Sequence, residues 1–226
     1  METDLTKIFL IYTSLIGFIS INGCSLNTRI DQLEGKIDAL DARVADLAVC
    51  PAGAPTRFVD NGDGTICDHE TGLMWEMKEG AESDLPDLSN PHDVDNMYSW
   101  NDAADGDNTN PDGTVFTDFL ARLNGVAAGS EPSEQLGGYS DWRLPTSAEL
   151  QTLIFEPGPG PCSISPCIID PIFVPTNLDE AGFHWSSTSD ITQPANAWTV
   201  IFDVGNAHKN NKTIDRFFVR AVRGGR

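Results

Sequence analysis

Basic side chains are scarce in this chain. Fourteen Lys and Arg residues stand against thirty-four Asp and Glu, a formal net charge of -20 over 226 residues. A field of that sign repels phosphate backbones and anionic lipid headgroups, so nucleic acid is excluded as a partner and a soluble, self-repelling surface is the ordinary consequence. Long apolar runs are missing too. Only Ile8 to Ile21 is almost wholly apolar or small, shorter than the roughly 20 residues of a membrane-spanning helix and suited to the core of a signal peptide. No Cys-x-x-Cys pair occurs, and His69, His92, His184 and His208 are scattered, which argues against zinc. Phrases for Ser-His-Asp hydrolysis, for a Gly-rich phosphate loop and for a His-Glu-x-x-His metalloprotease are likewise absent, and the chain is read as a non-enzyme. There is neither an internal repeat nor a βαβ alternation.

What is present is an ordinary globular balance, 40% hydrophobic and 21% charged, with Gly 20 and Pro 14 pointing to a loop-rich fold. The five cysteines divide into one and four. Cys50, Cys67, Cys162 and Cys167 form an even set, and of the three pairings open to them Cys50 with Cys67 and Cys162 with Cys167 is favoured. The second pair brackets a Ser-Ile-Ser-Pro loop that closes at little entropic cost. Disulfides imply an oxidising compartment. The remaining cysteine ends the phrase Ile21-Asn22-Gly23-Cys24, which resembles a bacterial lipobox. That resemblance implies that residues 1–24 direct export, that Cys24 takes lipid and anchors the chain to a membrane, and that the product reaches the cell envelope, with Ser25 compatible with the outer membrane or cell surface.

Residues 25–49 carry the cleanest periodicity. Ile30, Leu33, Ile37, Leu40, Val44 and Leu47 recur at alternating steps of three and four, the a/d seam of a coiled coil with β-branched residues at a and leucine at d. Arg29 and Lys36 fall at g while Glu34 and Asp41 fall at e, so a parallel, in-register copy meets opposite charge at both places. A single amphipathic helix folded back on its own domain has a similar stripe, but it has no need of paired g and e charges. The pattern favours a dimer and leaves a trimer open, and Gly35 with the short length makes the stalk weak by itself.

From Cys50-Pro51 the globular part begins and extends through residue 226. Arg57 to Asp60 reads as a strand, Asn61-Gly62-Asp63-Gly64 as a turn and Thr65 to Cys67 as the returning strand. Lys78 to Asp95 reads as an irregular loop. Helices are expected near Phe116 to Leu123 and after Thr146, whose hydroxyl caps while Glu149 reaches back. Strands follow at Trp185 to Ser187, Ala197 to Asp203 and Phe217 to Val222. The fold class is α+β, two helices against antiparallel strands.

Three ordered phrases carry a family likeness: Arg57-Phe-Val-Asp-Asn-Gly-Asp-Gly-Thr65 leading to Thr71-Gly-Leu-Met-Trp75, then Gly138-Tyr-Ser-Asp-Trp-Arg-Leu-Pro-Thr146, then Trp185-Ser-Ser-Thr188 with Val219-Arg-Ala-Val-Arg-Gly224. Together they resemble the C-terminal domain of the Legionella collagen-like adhesin. The Trp142-Arg-Leu-Pro-Thr146 phrase is also similar to formylglycine-generating enzymes and the C-type-lectin-like fold, and it implies that architecture here. The resemblance implies a stalked surface module that binds sulfated polysaccharide, whereas an acidic domain repels such glycans unless a basic patch intervenes. The candidates for that patch are His208, Lys209, Lys212, Arg216, Arg220 and Arg223; Arg220 and Arg223 are more simply read as structural partners of acids.

Recognition is therefore sought in the loops around Asp190 to Asn196 and Asn206 to Thr213, with Asp190, Asn196, Asn206, His208, Lys209, Asn210, Asn211 and Lys212 expected on one face. Trp75, Trp142, Trp185 and Trp198 are better placed in the core than on sugars. The oxygen-rich loops at Asp60 to Gly64 and Asp105 to Gly113 admit calcium, but neither has EF-hand spacing and Asx turns explain them. No cofactor is assigned. The sequence reads as an exported adhesin-like binding module for an extracellular glycan or protein, self-associating through its coiled coil. A structural envelope lipoprotein without a soluble ligand is the alternative.

Overall fold

The computed structural model describes residues 29–37, 49–80, 85–102, 108–127, 135–154, 169–176, 182–202 and 205–224. The chain divides into two units, Met1–Leu47 and Ala48–Arg226. In the first, residues 29–37 form helix α1 with every side chain exposed, and the seam residues Ile30, Leu33 and Ile37 stand 37%, 56% and 42% exposed on it. The apolar run before it, Cys24, Leu40, Val44 and Leu47, like Cys162 and Cys167 farther on, lie outside the described residues. Among the described residues no helix is long and apolar enough to cross a membrane.

The second unit is α+β, built on mostly antiparallel sheets with few and short helices. Strands β1 (Phe58–Asp60) and β2 (Thr65–Asp68) pair antiparallel, with Val59 opposite Cys67. The turn between them is made by its aspartates: Asp60 Oδ1 accepts from Gly62 N at 2.8 Å and Asp63 Oδ1 from Thr65 N at 3.1 Å. Gly62 and Gly64 take φ of 76° and 84°, which only glycine adopts without strain. β3 (Leu73–Glu76) continues the sheet and β9 (Val222–Gly224) closes it, in the order β1-β2-β3-β9. Cys50 and Cys67 form a disulfide with an S–S distance of 2.07 Å, which fastens the start of the domain to β2.

The helix expected near Phe116 begins as a π-helical turn, Val115–Phe119, and continues as α2 (Leu120–Leu123), burying Val115, Phe119, Leu120 and Leu123. Helix α3 (Ser147–Gln151) starts with the expected reciprocal cap: Thr146 Oγ1 accepts from Glu149 N at 3.1 Å and Glu149 Oε2 accepts from Thr146 N at 2.7 Å. Arg143 grips the same carboxylate with two bonds of 2.8 and 2.6 Å.

Strand β4 (Tyr98–Ser99) pairs with β8 (Arg216–Phe217). A second sheet contains β5 (Phe183–Ser189), β6 (Asn196–Ile201) and β7 (Asn206–Asn211), with β6 central. Phe217 to Val222 is not one strand, because the stretch passes from β8 to β9 through Phe218, Val219, Arg220 and Ala221, all buried and shared among three sheets. Asn206 to Thr213 is not a loop either: its first six residues are strand β7.

Alternation along β5 and β6 sends neighbouring side chains to opposite sides, so the second sheet separates two cores. Trp185 and Ala197 join Tyr98, Trp100, Phe119 and Trp142 on one side. Val200 and Phe202 join Ile66, Trp75, Leu150 and Phe173 on the other. Strand β7 lies at the edge of that sheet.

Candidate functional site

The pleat of β7 divides the expected recognition residues into two sets. Register with β6 pairs Asn196 with Asn211, Trp198 with Lys209 and Thr199 with His208. Paired residues share a face, and residues two apart on one strand share it as well. Asn206, His208 and Asn210 therefore project to one side, and Lys209 and Asn211 to the other with Asn196 and Trp198.

The Lys209 side is internally committed. Lys209 Nζ lies 2.9 Å from Asp190 Oδ2 and 4.9 Å from the Trp198 ring centroid. The other oxygen of Asp190 accepts from Thr192 N at 3.0 Å and from Thr192 Oγ1 at 2.8 Å. Those hydrogen bonds, with the ammonium of Lys209, hold the Asp190 carboxyl down to about 2. Asn211 Oδ1 accepts from Thr213 N at 2.9 Å and Thr213 Oγ1 at 2.7 Å, and Asn196 Nδ2 donates to Gln193 Oε1 at 3.0 Å. Asp190 and Asn196 thus shape the β5–β6 turn, bound to the β7 edge by one ion pair.

The other side is open and chemically mixed. Asn206 and His208 are exposed, and Asn210 donates to Thr199 Oγ1 at 2.7 Å. Beside them the half-buried Phe183 ring lies 6.1 Å from the His208 ring and stacks on Phe217 at 4.8 Å. Phe217 in turn meets the buried Trp185 at 4.9 Å. Amide and imidazole groups here stand in a row against aromatic rings. Sequence reasoning missed Phe183 and Phe217; their signal was the period-two spacing of Phe183 and Trp185.

Lys212 does not belong to a surface patch. It is 1% exposed, its ammonium lies 3.9 Å from the Trp100 ring centroid, and Nζ donates to Ser189 Oγ at 2.7 Å. Its carbonyl accepts from Asn101 N and its amide donates to Ala195 O, so it ties three chain segments together. Arg220 is also buried, donating to the carbonyls of Glu76 at 2.8 Å, Phe173 at 3.2 Å and Pro175 at 3.3 Å. Arg223 pairs with Asp141 at 2.7 Å and lies 3.6 Å from the Tyr139 ring centroid. Of the six expected basic residues, these three are engaged in structure, and the surface retains His208, Lys209 and Arg216.

The most strongly perturbed titratable groups sit in the interior. Burial acts to raise the Glu76 carboxyl, but Lys78 at 2.9 Å, His92 at 2.9 Å and the Ala221 amide at 2.9 Å prevail and hold it at about 2. Burial lowers Lys78, with Glu76 opposing. Burial also takes Arg220 down to about 10 and His184 down to about 3. Glu76 and Arg220 are fully buried, so this constellation organises the core.

Trp75, Trp142 and Trp185 are buried as expected, while Trp198 is half-buried under Lys209. In the second oxygen-rich loop, Asp112 Oδ1 accepts from Asn101 Nδ2 at 2.9 Å and from Asp102 N at 2.7 Å. Trp100 of the Trp100-Asn101-Asp102 phrase is a core residue.

A family model described as the Lcl C-terminal domain matches residues 64–223. No curated protein matches the chain.

Proposed function

The chain belongs to the Lcl C-terminal domain family, and from that premise we propose that it is an adhesin-like binding module of the bacterial cell surface whose recognition face is the His208 side of β7. One observation carries this reading. Asn206, His208 and Asn210 stand in one row beside the Phe183–Phe217 ring pair. Hydrogen-bonding groups next to aromatic faces form the combination that a sugar ring or a polar peptide requires.

The charge balance narrows the ligand. With Lys212 and Arg220 buried and Arg223 paired, an acidic domain offers little to a sulfated chain, and an uncharged glycan or a protein suits it better. The fold is read as C-type-lectin-like, from the Trp142-Arg-Leu-Pro-Thr146 phrase leading into the capped helix α3. For display, the proposal has Cys24 lipidated and residues 25–49 joined as a parallel coiled coil, so that weak faces act together through avidity. The module is assigned no catalytic role and no cofactor.

The test is retention of the full chain on a printed array of neutral, amino-bearing and sulfated oligosaccharides alongside immobilised matrix proteins. His208→Ala and Asn206→Ala are expected to reduce retention of the wild-type ligands about tenfold or more, a change of about 1.4 kcal/mol. Equal retention by both variants on every wild-type ligand would remove this face from consideration. Binding to nothing on either surface would favour a structural envelope role instead.

A further inference from the structure

A hollow of about 320 Å³ lies beyond the C-terminal end of β7. Its walls come from β4, the 101–102 and 112–117 segments, and the turn into β8; Ser99, Asp102, Asp112, Thr117, Asp215 and Arg216 line it with Ile214. We propose that this hollow binds a single sugar ring that bears no anionic substituent, an inference that rests on reading the domain as a binding module.

The hollow is held open by hydrogen bonds within the protein. Ser99 N donates to Thr114 Oγ1 at 2.9 Å and Thr114 N donates to Ser99 Oγ at 3.0 Å. Asp112 Oδ1 fixes the 101–102 backbone, and Asp215 Oδ2 accepts from Asn211 N at 3.0 Å. Asn101 N donates to Lys212 O at 3.1 Å, so the buried Lys212 segment braces the same wall. Gly113 stands where chains cross closely: a Cβ there would run into the Ser99 carbonyl and the Asn101 amide. A preformed hollow loses little entropy on filling.

Its chemistry selects the ligand by exclusion. Three carboxylates, on Asp102, Asp112 and Asp215, disfavour a sulfate, phosphate or uronate. The single Arg216 guanidinium offsets only one of the three, and adds a donor that an anion-free ring can use through its hydroxyl oxygens. A polyol uses both kinds of group, since its hydroxyls donate to carboxylates and accept from a guanidinium or a hydroxyl. Ile214, 77% exposed at the rim, offers an aliphatic surface to the C–H face of a ring. The volume lies at the low end of the roughly 300–1,000 Å³ of small-molecule sites, which fits one ring better than a chain.

The experiment uses the full chain on the same array, with Thr117→Trp to fill the hollow from its exposed wall and Arg216→Ala to remove the donor. Both positions are exposed, and circular dichroism confirms folding. Retention of neutral mono- and disaccharide probes is expected to fall at least tenfold in Thr117→Trp and several-fold in Arg216→Ala, while sulfated probes fail to bind wild type. Unchanged retention of the neutral probes in both variants overturns the assignment, as does binding confined to sulfated probes. Wild type that holds matrix proteins but no sugar defeats this inference and leaves the surface-binding reading intact. Loss in His208→Ala with none in Thr117→Trp has the same meaning.

Discussion

The two larger sheets handle charge in opposite ways. In the β1-β2-β3-β9 sheet and the chain leading into β9, charged groups go inside: Asp68, Glu76 and Arg220 are fully buried, and each is answered by a partner. Asp68 takes Arg57 at 2.9 Å, and Glu76 takes Lys78 and His92. In the β5-β6-β7 sheet, the buried strands are lined by Trp185, Ala197 and Val200 together with polar groups that carry no charge at neutral pH, His184, Ser186 and Thr199, and the exposed Asn206, His208 and Lys209 stand on the edge strand β7. A charge that is sealed and paired specifies one arrangement of the core. A polar group at a wet edge specifies nothing about the fold, and for that reason is available to a ligand.

The sharpest way to break this contrast is Arg220→Met, which leaves three carbonyls and Glu76 without their guanidinium. It is expected to lower the unfolding free energy by about 3–5 kcal/mol in a urea titration at neutral pH. A loss below about 1 kcal/mol would mean that the buried charges are dispensable. Replacing Cys50 and Cys67 together by Ser releases a constraint spanning a separation of 17 residues, and a loss of about 3 kcal/mol is expected by the same measurement.

Acid provides the next test. His184 binds a proton only near 3 in the folded domain, against 6.5 in an ordinary environment, because it is buried and faces Arg220 and Lys78, with the Gly182 carbonyl and Glu76 opposing. The unfolded chain therefore binds more protons as pH falls below 6.5. Stability from this group is complete above 6.5 and is lost progressively toward 3, about 2 kcal/mol of it by pH 5. Glu76, held at about 2 against 4.5, adds its own loss only below about 4.5. His184→Phe is expected to flatten stability between pH 7 and pH 5, and an unchanged slope would assign the acid sensitivity elsewhere.

The smallest change in stability belongs to the edge. His208→Ala is expected to alter the unfolding free energy by less than about 0.5 kcal/mol, even as it weakens retention of ligand. A large loss of stability would make the face part of the architecture and erase the contrast.

Much of the fold was legible where the signal was local. Asp60-Asn-Gly-Asp-Gly makes its turn through its own side chains, Thr146 and Glu149 close the cap at a separation of three, and Phe119, Leu120 and Leu123 form one buried stripe. The pairing of Cys50 with Cys67 was also foreseen. What escaped depends on distant contacts. Asn206 to Asn211 has no apolar alternation because an edge strand with solvent on both flanks needs none. Phe218 to Ala221 reads as a continuous strand because every residue is buried, yet its neighbours belong to different sheets. Lys212 reads as a surface cation because nothing nearby in sequence reveals the ring that encloses it, and Arg220, read as a structural residue paired with an acid, is buried as a donor to carbonyls distant in sequence. The notion of a single face failed for the same reason, since the pleat that separates His208 from Lys209 appears only once the register with β6 is known.

The covalent link at the head of the domain has a mechanical consequence. Tension arriving from the amino-terminal side at Val49 passes from Cys50 across the sulfur bridge to Cys67, and so enters β2, an interior strand flanked by β1 and β3. The intervening residues, including β1 and its turn, form a slack bypass that bears no pull while the bridge is whole. A pull applied at Val49 would thus load the middle of the sheet, and its outermost hairpin would be spared from being peeled away.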